Sequence, residues 1–153
     1  MAKFSAGILM YRLRGDAVEV LIVHPGGPFW ANKDIGAWSI PKGEYLPGQD
    51  PLATAKREFY EETGSRLTGD FIKLEPVRQA GGKLVQAFAV NGDFDTETLS
   101  SNTFEMEWPP RSGKKKEFPE VDRAEWCDLA TAREKLNSVQ ATLVDQLESL
   151  LAG

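Results

Sequence analysis

Residues 43–65 read GEYLPGQDPLATAKREFYEETGS. Asp50 supplies an N-cap carboxylate, Pro51 suits the first helical position, and the run from Leu52 to Thr63 is closed by Gly64, a natural C-terminal stop. At 100° per residue, Leu52, Ala55, Phe59 and Thr63 fall within about 80° of one another, as a buried stripe requires. Glu58, Glu61 and Glu62 gather on the flank of that stripe, where like charges repel by roughly a few tenths of a kcal/mol per pair. Half-sheltered carboxylates need a compensating charge. A hard divalent cation such as Mg²⁺, which takes oxygen ligands and keeps several waters, supplies one. On the helix alone, a solvated acidic face paired with Lys56 and Arg57 is the alternative.

Upstream of this stretch, FSAGILMYRLR and VEVLIVH read as strands joined at Gly15-Asp16, a hairpin of two buried strands. PGGPFWANKDIGAW, residues 25–38, is a Gly- and Pro-rich loop that nevertheless carries Phe29, Trp30 and Trp38. Downstream, DFIKLEPVRQ, KLVQAFAV, NTFEMEW and EVDRAEWCDL read as further strands. The last 25 or so residues return to helix, with Ser138 as a cap and Val139, Leu143, Leu147 and Leu150 at helical spacing. The expected architecture is α/β: a mixed sheet with helices packed on it, one of them carrying the glutamates.

The 153 residues fit one domain, residues 1–153, with enough apolar content for a single core. The N-terminal apolar stretch is interrupted by Tyr11, Arg12 and Arg14, which reads as a strand of a cytoplasmic protein with no membrane association. Cys127, the only cysteine, excludes an internal disulfide and reads as a small buried hydrophobe. A formal charge of −5 argues against bulk nucleic-acid binding while leaving room for a small phosphorylated ligand. The single histidine, His24, disfavours a His-rich metal site or a Ser-His-Asp hydrolase. Hydrolytic chemistry here has to be built from carboxylates, lysines and arginines.

Gly43, Arg57, Glu58, Phe59, Glu61, Glu62 and Gly64 stand in register with the glycine, Arg-Glu pair, bulky apolar residue, Glu-Glu pair and glycine of the Nudix box. The segment 43–65 therefore resembles that family's signature. Gln49 replaces the first glutamate of the box and Ser65 its final apolar residue. Gln49 is expected to accept one hydrogen bond from Arg57 without the charge-assisted bidentate option.

The resemblance implies an α/β/α sandwich with a mixed central sheet and a catalytic loop-helix-loop. It also implies water attack on phosphorus in a nucleoside diphosphate linked to another group, with two or more Mg²⁺ or Mn²⁺ ions. Carried over residue by residue, Glu58, Glu61 and Glu62 hold metal, the Lys42 carbonyl joins them, and Arg57 orients the glutamates. Glu58 is the first choice for general base, with catalysis assigned to Glu58, Arg57 and Glu61. Glu120 is the expected distal carboxylate and Glu117 its runner-up.

Trp38, Pro41, Lys42 and Gly43 precede the helix in the order seen in small dinucleoside tetraphosphate hydrolases, which the chain resembles most. Lys42, Gly43 and Tyr45 are accordingly placed at the substrate. Lys114, Lys115 and Lys116 are read as a cationic loop suited to polyphosphate. Tyr45, Trp30, Phe29 and Trp108 are the aromatic candidates for base stacking. Three substrate readings follow. The first is a dinucleoside polyphosphate, the second a nucleoside triphosphate, oxidised ones included, and the third a diphosphoinositol or RNA-end diphosphate. A nucleotide-sensing module of the same fold is the non-enzyme alternative, and the expected assembly is a monomer or homodimer.

Overall fold

A computed structural model describes residues 3–153. The chain forms β1 (Phe4–Arg14), β2 (Ala17–Pro25), β3 (Lys42–Tyr45), α1 (Pro51–Thr63), β4 (Ile72–Lys73), β5 (Val77–Arg78), β6 (Leu84–Asn91), β7 (Thr103–Glu107), β8 (Lys115–Pro119), β9 (Val121–Asp128), α2 (Leu129–Lys135) and α3 (Ala141–Ala152). The main sheet runs β4-β6-β1-β2-β9, with β3 added on β1 and β5 on β6. It is mixed because β1 and β6 are parallel while the other pairs are antiparallel.

Strand alternation divides the core between the two faces. Leu9 and Tyr11 of β1 pack with Trp38, Ala132, Leu136, Leu143, Val144 and Leu147, beneath α2 and α3. Ile8 and Met10, one residue out of phase, pack with Ala55 and Phe59 of α1 on the opposite side. Burying a side chain such as Phe59, which is inaccessible to solvent, contributes about 1.5–3 kcal/mol. The product is the expected α/β/α sandwich.

The edge of β1 is forked, and this positions the site. β2 pairs with Tyr11–Arg14, whereas β3 pairs with Phe4–Gly7. Between them the Ile8 N–H donates to the Pro41 carbonyl, and Val23 bridges Ser39. The fork opens on a cleft of ≈170 Å³ reached by Lys42, Glu62 and Glu120.

Several expectations are corrected by this arrangement. Residues 70–79 form two short strands rather than one. The lysine run is not a loop: Lys115 and Lys116 lie in β8, which pairs with β7 as a separate hairpin, and only Lys114 precedes the strand. Helix α3 starts at Ala141, so Ser138 does not cap it. Instead the Asn137 side chain accepts from the Val139 N–H in a turn leading into the helix. Leu150 is 47% exposed and lies outside the buried stripe. No described helix is long and apolar enough to cross a membrane.

Candidate active site

Helix α1 begins as its sequence dictates, with the Asp50 carboxylate accepting from the Leu52 and Ala53 N–H groups at 3.4 and 3.3 Å. It ends at Gly64, whose φ of 81° is left-handed and whose N–H donates to the Tyr60 carbonyl. Ala55, Phe59 and Thr63 of the predicted stripe are buried, and Leu52 is partly so. The stripe thereby presents Glu58, Glu61 and Glu62 to the forked edge.

Glu62 is the deepest of the three, only 7% exposed, and its Oε2 accepts the Lys42 N–H at 3.1 Å. Burial, reinforced by the charges of Glu58 and Glu120, pushes its carboxyl up to about 9. Glu58 is also raised, first by burial and then by Glu61, against the pull of Arg57. Arg57 lies 3.4 Å from the Glu58 carboxylate and 3.8 Å from that of Glu61. Gly43 leaves room for the Glu58 side chain: a Cβ there would lie 2.1 Å from the Glu58 Cδ and would displace the carboxylate.

Glu120 reaches this cluster through a clamp that nothing in the sequence announced. The Ser100 and Asn102 N–H groups donate to the Thr63 and Glu61 carbonyls, closing the C-terminal end of α1. The Asn102 carbonyl then accepts the Glu120 N–H, and Ser101 Oγ accepts the Val121 N–H at 3.0 Å. Residues 100–102 thus tie the distal carboxylate to the helix. The Glu120 side chain is exposed at the rim, and its partial shelter together with Glu61 raises its carboxyl. Glu117 is left on the β7–β8 hairpin, where it bonds the Thr103 hydroxyl.

A β-bulge between His24 and Pro25 leaves Asp122 without a paired position on β2. Its carboxylate instead meets His24 Nδ1 at 2.8 Å, while His24 Nε2 meets the Lys33 carbonyl at 2.7 Å. The fully buried imidazole therefore fastens the 26–38 loop to β9 beside Glu120.

Gln49 does not contact Arg57 as expected. Its Oε1 accepts the Leu46 N–H at 2.7 Å and its own N–H donates to the Leu46 carbonyl, making a local turn. The Lys42 ammonium is largely buried, and burial followed by the neighbouring Lys83 lowers its proton affinity. Tyr45 packs on Phe4 with ring centroids 5.8 Å apart.

The donor set suits a hard divalent cation. Three carboxylates, Glu58, Glu62 and Glu120, whose burial and neighbouring charges disfavour ionisation are compensated in place by Arg57, the Lys42 N–H and an ammonium of lowered proton affinity. With Glu58 turned to Arg57 and Glu62 to Lys42, no three of the described His, Cys, Asp or Glu side chains converge closely enough to grip an ion as they stand.

An acidic helix closing over a forked strand edge inside an α/β/α sandwich defines a Nudix-type hydrolase. The NUDIX domain family matches residues 1–147, and the chain belongs to that family, whose hydrolases act on pyrophosphate-containing substrates and generally use divalent metal ions. Among characterised relatives, the chain is similar to an RNA pyrophosphohydrolase of Brucella anthropi, 29% identical over 71% of this chain and 72% of that protein. The Caenorhabditis elegans Ap4A hydrolase, solved as a binary complex, superposes with a TM-score of 0.69 at 22% identity, covering 97% of this chain and 98% of that one. The NUDIX domain of Shewanella oneidensis NrtR, cocrystallised with ADP ribose, gives 0.67 at 15% identity, covering 99% and 89%. Both structures share the fold.

Proposed function

We propose that this hydrolase cleaves a phosphoanhydride of a dinucleoside polyphosphate, with Glu58, Glu61, Glu62 and Glu120 and the main chain of Lys42 holding Mg²⁺ or Mn²⁺. The observation that carries the reading is the convergence of Glu62 and Glu120 on the forked edge, with Glu58 against Gly43 and Arg57 braced on two carboxylates. The bound ions supply charge neutralisation and a lowered pKa for the attacking water. Glu58 takes the proton from that water as its oxygen bonds to phosphorus, and the leaving phosphate oxygen carries off the electron pair of the broken anhydride. In the metal-free protein, burial and the charge of Glu61 raise its proton affinity. Arg57 is a positioning residue that keeps Glu58 and Glu61 aimed at the cleft. Lys42 and Gly43 line the phosphate path, Tyr45 borders it, and Lys114, Lys115 and Lys116 add positive potential beyond it.

The similarity to an RNA pyrophosphohydrolase favours a second reading, in which the substrate is the 5′-phosphorylated end of an RNA. One experiment separates the two. Diadenosine tetraphosphate, ATP, ADP-ribose, a diphosphoinositol compound and a 5′-triphosphorylated oligonucleotide are incubated with Mg²⁺, Mn²⁺ or chelator. Metal-dependent cleavage is expected, falling by about 10²–10⁴-fold in Glu58→Gln, with diadenosine tetraphosphate the best substrate. A preference for the oligonucleotide selects the second reading. Tight nucleotide binding with no turnover of any compound refutes both.

A further inference from the structure

The β7–β8 hairpin and the 26–38 loop form an arm that the chemistry at phosphorus does not use. The register pairs Phe104 with Phe118 and Met106 with Lys116, so these four side chains share one face. The two phenyl rings sit 6.1 Å apart there. Glu105, Glu107, Lys115 and Glu117 occupy the other face by the same alternation. The loop lies on the aromatic face: a Cβ on Gly27 would come within 3.0 Å of the Phe104 ring, and Phe29 meets Trp108 edge to face at 5.7 Å and 83°.

This corner is open and is joined to the cleft through the chain. Phe29 is 61% exposed, an exposure that core packing does not account for. Both ends of its loop, Pro25 and Ser39, line the cleft, and β8 runs from beside Trp108 directly into Glu120. The five residue steps from Lys115 to Glu120 span roughly 16 Å at the strand rise. A base reaches that far from a phosphorus held by the carboxylates only across several phosphates and a sugar. Lys116, on the aromatic face between the two ends, lies along the path such an anionic chain takes.

We infer that Phe29 and Trp108 stack the second nucleobase of the substrate, the one remote from the attacked phosphorus, with Lys116 holding the phosphates between. The inference rests on the reading of this protein as a nucleotide phosphoanhydride hydrolase. The second base is carried by a dinucleoside polyphosphate or by the second nucleotide of an RNA end, and the site selects compounds with two bases over those with one.

The test is titration calorimetry with Mg²⁺ in a Glu58→Gln background, so that binding is read whether or not the compound is a substrate. Diadenosine tetraphosphate, a 5′-triphosphorylated dinucleotide and ATP are compared on that protein and on the same protein carrying Phe29→Ala, Trp108→Ala, Trp108→Phe, Lys116→Gln or Lys115→Gln. Phe29→Ala and Trp108→Ala are expected to weaken binding of a two-base compound at least about fivefold, the lower bound for losing one stacked base, and to leave ATP unchanged. Trp108→Phe restores binding, and Lys116→Gln weakens it more than Lys115→Gln. The two-base compound that loses more identifies which source the arm reads. Equal losses for ATP and both two-base compounds, or none for any, overturn the inference. If wild-type protein binds selectively in this way yet hydrolyses no nucleotide, the functional reading falls while the arm stands.

Discussion

Replacing Glu62 by glutamine tests whether burial has made this carboxylate dependent on a cation. In the unfolded chain Glu62 titrates near 4.5, and in the folded protein near 9, so between those values the folded state binds the extra proton. Stability of the metal-free protein therefore falls as pH rises from 4.5 towards 9. At pH 7.5 the loss is about 4 kcal/mol, taking 1.36 kcal/mol per unit. Glutamine matches the protonated acid in shape and still accepts the Lys42 N–H, so it removes the titration without removing the bond.

The assay is thermal unfolding in chelator at pH 5 and pH 7.5, with the two proteins compared at each pH so that all other titrating groups cancel. Glu62→Gln should exceed wild type at pH 7.5 by about 8–16 °C, at 2–4 °C per kcal/mol for a chain of this size, and nearly match it at pH 5. Saturating Mg²⁺ should then raise the wild-type midpoint at pH 7.5 and raise that of Glu62→Gln less, since Glu58, Glu61 and Glu120 remain to hold the ion. A difference between the proteins that is the same at both pH values, or a wild type that is the more stable at pH 7.5 in chelator, refutes the reasoning.

Other perturbations bear on the same scaffold. Gly43→Ala places a methyl where the Glu58 carboxylate lies, and a shift of about 1 Å in that group is expected to lower kcat about 10²-fold with KM little changed, read by steady-state kinetics. Asp50→Ala removes the α1 cap and should cost about 1 kcal/mol in urea unfolding. Ser101→Ala unties the Val121 N–H and should cost about 1 kcal/mol by the same assay, with a parallel fall in activity as Glu120 loosens. Cys127 is buried, and that burial holds its thiol up to about 11, so an aromatic disulfide reagent at pH 8 should label it only after denaturant is added.

The glutamate helix was legible because its signals are local. Asp50, Pro51 and Gly64 mark its ends, the stripe through Phe59 sets its orientation, and the three glutamates fall where that stripe puts them. The unbroken apolar run from Ile8 to Tyr11 likewise read as a buried strand, and the structure divides it between two faces, Ile8 and Met10 on one and Leu9 and Tyr11 on the other. Strand β8 was hidden because Lys114, Lys115 and Lys116 suggest a solvated loop, while what makes it a strand is its pairing with β7. The side chain of Gln49 turned to the Leu46 N–H, and no spacing rule foretells that choice. The clamp at residues 100–102 is made by backbone groups, which carry no residue signature, so Glu120 could be named from sequence but not tied to the helix.

That clamp has an energetic consequence for the cation site. Glu58 and Glu62 are set by one rigid helix, but Glu120 comes from a distant strand and is held near them against mutual repulsion by the hydrogen bonds of Ser101 and Asn102. The metal-free protein meets this repulsion by keeping Glu62 protonated at neutral pH. A divalent ion bound there must displace that proton, so its affinity should rise with pH up to about 9, and each binding event at pH 7.5 should release close to one proton. Calorimetric titration with Mg²⁺ in buffers of different ionisation enthalpy measures that release directly. Glu62→Gln abolishes it if Glu62 is the group displaced, whereas undiminished release in the variant assigns the proton to Glu58 or Glu120 instead.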